Sequence, residues 1–162
     1  VSGTYYQSLI IITTFALIKK RQCLLIEDDL DDQEFFLIAM ANVDPAMQCT
    51  VADNGVEALE KLDEHRLYVP EFIFIDINMP FMNGIECLQK IKQLPHLHES
   101  RVYMYSTAEV MNFPASVGLG PNNFIVKRNS LEELTEILRS IVDGEWPMSA
   151  VHKKVGEKYS IL

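Results

Sequence analysis

FIFIDINMP, Phe72 to Pro80, is a short apolar run that stops on a single carboxylate. Phe72 to Ile75 alternates aromatic and β-branched residues with no polar position, the pattern of a strand buried on both faces. Asp76 closes it, and the chain turns at once through Asn78, Met79 and Pro80. An isolated charge in such a place is costly, so an aspartate there is paired, metal-bound or chemically employed. Its partner has to come from elsewhere in the chain.

Outward from this strand, short apolar runs alternate with stretches of helical period. CLLI from Cys23, QCTVA from Gln48, FIFID from Phe72, VYMYS from Val102 and NFIVK from Asn123 read as strands. Helical stretches lie between them: DDQEFFLIAMANV from Asp31, GVEALEKLDEH from Gly55, GIECLQKIKQL from Gly84, and a less regular one from Glu109 to Leu119. A last helix, SLEELTEILRSIV, opens on a capping box of Ser130 and Glu133. The alternation predicts an α/β fold, a doubly wound five-stranded parallel sheet in the flavodoxin-like order 2-1-3-4-5 with helices on both faces.

The 162 residues and their 48% apolar content suit one soluble globular domain. A net charge of -9 argues against nucleic-acid binding and for cations or basic partners. Cys23, Cys49 and Cys87 lie far apart and form no CxxC, which predicts buried thiols in a reducing, cytoplasmic setting rather than a disulfide frame or a zinc site. His96 and His98 share a loop and weigh as surface residues rather than metal ligands. The apolar LIIITTFALI at Leu9 to Ile18, followed by Lys19, Lys20 and Arg21, is too short for a membrane span and lacks the layout of a secretory signal. The expected organisation is therefore an apolar N-terminal extension (1-19), one domain (20-145) and a C-terminal tail (146-162).

In an open parallel sheet, ligands bind beyond the carboxyl ends of the strands where strand order reverses. Strand one runs into Glu27, Asp28 and Asp29, strand three ends at Asp76, strand four at Ser106 and Thr107, and strand five at Lys127. Neighbouring strand ends lie roughly 5 Å apart, so Asp28 and Asp76 fall within reach of one cation. All-oxygen donors without His or Cys suit Mg2+, which keeps coordination positions for water and phosphate. A lysine opposite would neutralise a phosphoryl oxygen. These are the parts of a phosphoryl-transfer site with a carboxylate nucleophile. Asp29, Asp31 and Asp32 read as turn formers or helix caps.

At these residues the chain resembles the receiver domains of two-component response regulators, including the chemotaxis Y type. The match runs from about Arg21 to Asp143 and is carried by LLIEDD, DINMP, Asn83-Gly84, YSTA and FIVK. IKQLPHLHESRVYMYSTA looks most like the single-domain receivers that include cyanobacterial phytochrome response regulators. The resemblance implies Mg2+-dependent transfer of a phosphoryl group from a sensor histidine kinase or histidine phosphotransfer protein to Asp76. It further implies Glu27 and Asp28 as the acidic pair, Asn78 as a backbone-carbonyl metal ligand, and Lys127 as the phosphate-binding lysine. Ser106, 30 positions after Asp76, takes the place of the switch hydroxyl, with Thr107 as the alternative. Phe124 takes that of the aromatic that swings inward. Signalling would then run through the face of the fourth helix, fifth strand and last helix to a protein partner, with homodimerisation left open. Two departures stand out: Arg128 replaces the proline that usually follows the lysine, and Pro114 with Gly118 to Pro121 interrupts the fourth helical stretch.

Two other functions compete. A pseudo-receiver would keep the fold as an interaction module without taking phosphate. A Mg2+-dependent phosphohydrolase of the haloacid dehalogenase type also uses a strand-end aspartate, but places a second aspartate where Asn78 stands. The stretch after Asp143 is too short for a DNA-binding domain, so the expected output is protein contact or relay rather than catalysis.

Overall fold

The computed structural model describes residues 21–64, 68–107 and 123–146. The apolar extension, the fourth helical stretch with Pro114 and Gly118 to Pro121, and all of the tail after Trp146 lie outside the described residues. Among the described residues ten elements follow one another: β1 (Gln22–Ile26), α1 (Leu30–Val43), β2 (Gln48–Ala52), α2 (Gly55–Glu64), β3 (Phe72–Ile75), α3 (Gly84–Ile91), a 3-10 turn (Pro95–Leu97), β4 (Arg101–Ser106), β5 (Phe124–Val126) and α4 (Leu131–Val142). The strands form one parallel sheet in the order β2-β1-β3-β4-β5, as the alternation predicts.

Because successive strand residues point to opposite faces, each strand feeds two cores. Leu24, Ile26, Ile73, Ile75 and Met104 pack against Ala58 and Leu62 of α2 and Cys87, Leu88 and Ile91 of α3. Leu25, Phe72, Phe74, Tyr103 and Tyr105 face Phe36, Ala39 and Met40 of α1 and Leu134, Ile137, Leu138 and Ile141 of α4. The second core is strongly aromatic. Phe74 stacks on Tyr103 at 5.5 Å between ring centres, and Phe36 leans on Phe74 at 4.9 Å and on Tyr105 at 5.6 Å. Such tilted and offset pairs add roughly 1 kcal/mol each beyond the area they bury.

The helix starts follow the sequence signals. Asp29 caps α1 through the backbone N–H groups of Asp31 and Asp32, Asn83 caps α3 through that of Glu86, and Ser130 caps α4 through that of Glu133. Two boundaries differ from expectation. The third helical stretch stops at Ile91 instead of reaching Leu94, because Pro95 forces Leu94 into an extended conformation (φ -88, ψ 105). β5 is shorter than NFIVK, although the Lys127 N–H still donates to the Ser106 carbonyl at 2.8 Å. α4 gives way to Gly144 in the left-handed region (φ 78), and Trp146 folds back onto the aromatic core.

A clamp closes the amino end of the sheet. Arg21 donates two hydrogen bonds to Glu71 at 2.9 and 3.0 Å and one to the Val142 carbonyl at 3.0 Å. Arg101 reaches the same Glu71 carboxylate and the Ile141 carbonyl, and its guanidinium lies 4.2 Å over the Phe72 ring. The last carbonyls of α4, which lack partners within the helix, thus receive charged donors.

Candidate functional site

The opposite, carboxyl end of the sheet carries the charges. Ladder bonds continue one residue beyond the strands, from the Glu27 N–H to the Ala52 carbonyl at 3.0 Å and from the Asp76 N–H to the Ile26 carbonyl at 2.8 Å. Ile26 and Ile75 are register partners, so Glu27 and Asp76 follow side by side. Glu27 is 1% and Asp76 5% exposed, whereas Asp28 is open to solvent. Carboxylate oxygens of Glu27, Asp28 and Asp76 all lie within 4.8 Å of one another.

Lys127 supplies the counter-charge. Its Nζ stands 2.7 Å from Glu27 Oε2, 2.7 Å from Asp32 Oδ2 and 3.5 Å from Asp76 Oδ1, and 5.4 Å over the Tyr105 ring. The approach to Glu27 lies outside hydrogen-bond geometry and is an electrostatic contact. Burial pushes the Glu27 carboxyl up to about 7 against the pull of Lys127. Asp76 is raised for the same reason, with Lys127 and the N–H groups of Ile77 and Asn78 opposing. Burial would lower the Lys127 ammonium, but Asp32 and Glu27 outweigh it and hold the group charged.

Local structure explains the precision of this cluster. Asp29 fulfils the capping role read from the sequence, but Asp32 does more than that reading allowed, since the first turn of α1 presents it directly to Lys127. Gln33, also unremarked in the sequence, donates to the Glu27 carbonyl at 2.7 Å and to Asp53 Oδ1 at 3.0 Å, tying the ends of β1 and β2 together. Behind Asp76, the Gly84 N–H donates to the Ile77 carbonyl at 3.0 Å, and a Cβ on Gly84 would fall onto the Asp76 carbonyl oxygen. Only glycine lets α3 start so close to the strand end. In the same loop Phe81 adopts φ 65 while 90% exposed, an uncommon state for an aromatic residue that nothing buried repays.

Of the two candidate hydroxyls, Ser106 is buried at the end of β4 and Thr107 is exposed. Ser106 Oγ has no hydrogen-bond partner among the described residues. Phe124, in register with Met104, is half-buried against the α2–α3 core. Asn78 is exposed. Arg128 points toward Glu133 at 4.0 Å, in the turn that leads to the Ser130 cap. His96, inside the 3-10 turn, contacts the Leu62 carbonyl of α2, and His98 just after the turn contacts that of Pro95. Met79 and Met104 are buried in the core.

The donor set fits a hard divalent cation. Three carboxylates with neither imidazole nor thiolate among them suit Mg2+ better than Zn2+. Two of the three are carboxyls that burial holds toward the protonated form, and a bound cation would reverse that preference.

The sequence model of the response regulator receiver domain matches residues 23–139. The chain belongs to this family. Among its relatives, the receiver resembles chemotaxis protein CheY of Bacillus subtilis, 31% identical over 93 residues that cover 57% of this chain and 73% of CheY. It is 28% identical over 113 residues to a protein-glutamate methylesterase/protein-glutamine glutaminase of Methanospirillum hungatei, covering 67% of this chain and 32% of that protein. The receiver thus spans about a third of that enzyme's length. Among solved structures it resembles the phosphorylated cyanobacterial phytochrome response regulator RcpA, with TM-score 0.66 and 25% identity over 78% of this chain and 94% of the other. The bacteriophytochrome response regulator AtBRR is similar at TM-score 0.63 and 28% identity, covering 89% and 98%. No helix among the described residues is long and apolar enough to cross a membrane.

Proposed function

We propose that this receiver accepts a phosphoryl group on Asp76 from a phosphohistidine of a sensor kinase or histidine phosphotransfer protein and signals by a conformational switch to a protein partner. The observation that carries the reading is the Asp76 carboxylate itself, gathered with Glu27 and Asp28 within 4.8 Å on one side and 3.5 Å from the Lys127 ammonium on the other. Asp76 attacks phosphorus; the phosphorus–nitrogen bond of the donor breaks, and the imidazole leaves with its electron pair and takes up a proton. Ile77 and Asn78 orient the nucleophile through their N–H groups. Lys127 neutralises the growing charge on the phosphoryl oxygens. Glu27, Asp28, Asp76 and the Asn78 carbonyl would hold Mg2+, which supplies electrostatic stabilisation of the same oxygens. Ser106, buried with an unpartnered hydroxyl, turns to a phosphoryl oxygen, and Phe124 moves into the space vacated.

In this reading residues 20–145 are the signalling unit, acting in the cytoplasm, with 1–19 and 146–162 outside the acceptor chemistry. Phosphorylated RcpA, of like fold, supports it. Intact-mass spectrometry after treatment with acetyl phosphate and Mg2+ tests it. The native chain gains one phosphate and Asp76→Asn gains none. An unchanged native mass, with Mg2+ binding demonstrated separately, would mean a pseudo-receiver instead.

A further inference from the structure

Cys23 and Cys49, 26 positions apart in sequence, are register partners on β1 and β2, and their Sγ atoms lie 2.7 Å from each other. Both are free thiols. Adjacent strands run about 4.8 Å apart, which places directly paired α-carbons inside the roughly 4.4–6.8 Å window that a disulfide bridges without backbone movement. The two thiols differ in access. Cys23 is fully enclosed by the aromatic core, whereas Cys49 is half-buried on β2, the edge strand of the sheet. They also differ in character. The hydrogen bond from Cys23 lowers the Cys49 thiol, against burial and the nearby Asp44, while the same bond raises Cys23. Cys87 shares none of this: it is buried under the other face of the sheet, 3.9 Å from the Gly55 carbonyl.

We propose that Cys23 and Cys49 are a modification site that closes into a reversible intramolecular disulfide when the chain meets a peroxide. The Cys49 thiolate attacks a peroxide oxygen; the O–O bond breaks, the distal oxygen leaves as water after protonation, and Cys49 becomes a sulfenic acid. Cys23 sulfur then attacks the Cys49 sulfur, its proton goes to the departing hydroxyl, and water leaves as the S–S bond forms. Two thiols lose two electrons and two protons, and hydrogen peroxide is reduced to two waters. A small dithiol reverses the bond by exchange. The bridge links β1 to β2 around α1 and shortens the unfolded chain's freedom over that loop. It sits four residues before Glu27, roughly 13 Å along the strand, and so leaves the carboxylate cluster in place.

The test uses the full chain with all three of its cysteines. After limited hydrogen peroxide, the chain is quenched, denatured and alkylated with N-ethylmaleimide, then read by intact mass and peptide mapping. The expected result is one alkylated cysteine, Cys87, and a linked Cys23–Cys49 peptide pair. Dithiothreitol restores three, and the oxidised form melts at least about 5 °C higher than the reduced one. Cys87→Ala should behave as the native chain, while Cys49→Ser, on the half-buried position, should form no intramolecular bridge. Three alkylatable thiols after peroxide, bridges only between molecules, or Cys49 stopping at a sulfinic acid with Cys23 still free would each overturn the proposal. The peptide map of the native chain decides the matter even where a cysteine variant folds poorly.

Discussion

Lys127 and Asp32 lie 95 positions apart in sequence and meet at 2.7 Å. The lysine is thereby drawn to the rim of the acidic cluster, closer to Asp32 and Glu27 than to Asp76. On the proposed reading an incoming phosphoryl group would have to win it from those partners; in the structure the ammonium is the shared counter-ion of Glu27, Asp32 and Asp76.

Replacing that counter-ion should expose its weight. Lys127→Met keeps the side-chain bulk but leaves Glu27 and Asp76 buried without a cation, which is expected to cost about 3 kcal/mol in the presence of EDTA. Mg2+ at about a hundred times its dissociation constant should return nearly as much. Urea unfolding of the variant with EDTA and with Mg2+ measures both. If Mg2+ gives no recovery, the three carboxylates are not a metal site.

Ser106→Ala removes a buried hydroxyl that has no partner. Its loss should be neutral or stabilise the unphosphorylated chain by up to about 1 kcal/mol, because no hydrogen bond is forfeited. Asp76 should still take phosphate, yet hydrogen exchange around Phe124 should no longer respond. A destabilisation above about 1 kcal/mol would show that the hydroxyl is already bonded.

Two substitutions in the loop after Asp76 should act in opposite directions. Phe81→Gly relieves a left-handed backbone at a position where the 90% exposed ring packs on almost nothing, and is expected to stabilise by about 1 kcal/mol. Gly84→Ala drives a methyl group onto the Asp76 carbonyl and should cost about 3 kcal/mol, outweighing the better helix propensity of alanine. Thermal melts of the two variants beside the native chain check the signs.

Acid should weaken the clamp at the other end of the sheet. The hydrogen bond from Arg21, with Arg101 adding to it and burial opposing, holds the Glu71 carboxyl below its ordinary 4.5. The folded chain therefore binds that proton less tightly than the unfolded one. The stabilisation is present above the ordinary value and lost as pH falls through the lowered one. Glu71→Gln should cost about 1 kcal/mol at neutral pH, and the gap to the native chain should narrow as the pH is taken below 4.5, the ordinary value of the carboxyl. Glu27, raised to about 7, contributes with the opposite sign but is common to both proteins and cancels. Urea titrations at the two pH values give the difference; a gap that widens in acid contradicts the assignment.

Much of this architecture was legible in the sequence, because the periods that mark elements are local. The all-apolar Phe72 to Ile75 had only one place to go, and Ser130 with Glu133 marked a helix start without reference to the rest of the chain. The strand-end charges were also legible, since the order of a parallel sheet brings them to one edge. Pairings made by packing were not. Asp32 sits in a helix first turn, where an acidic residue is ordinary, and its second role arises only from where β5 ends. Cys23 and Cys49 looked unrelated because their meeting depends on a register that spacing alone does not set. Gln33 carries no charge and no motif to announce its bond to Asp53.

The clamp of Arg21 on the Val142 carbonyl joins residues 121 positions apart, and Lys127 closes the acidic cluster from nearly as far. A ribosome adding roughly 5–20 residues per second needs on the order of ten seconds between making the first of these groups and the last. For that interval β1, joined part-way through by β3, is an emerging apolar segment whose covering helix α4 has not been synthesised. On the proposed reading, the nascent chain cannot present Asp76 in its working surroundings until α4 has cleared the exit tunnel, so a product truncated before α4 would expose sticky strands without being able to take phosphate.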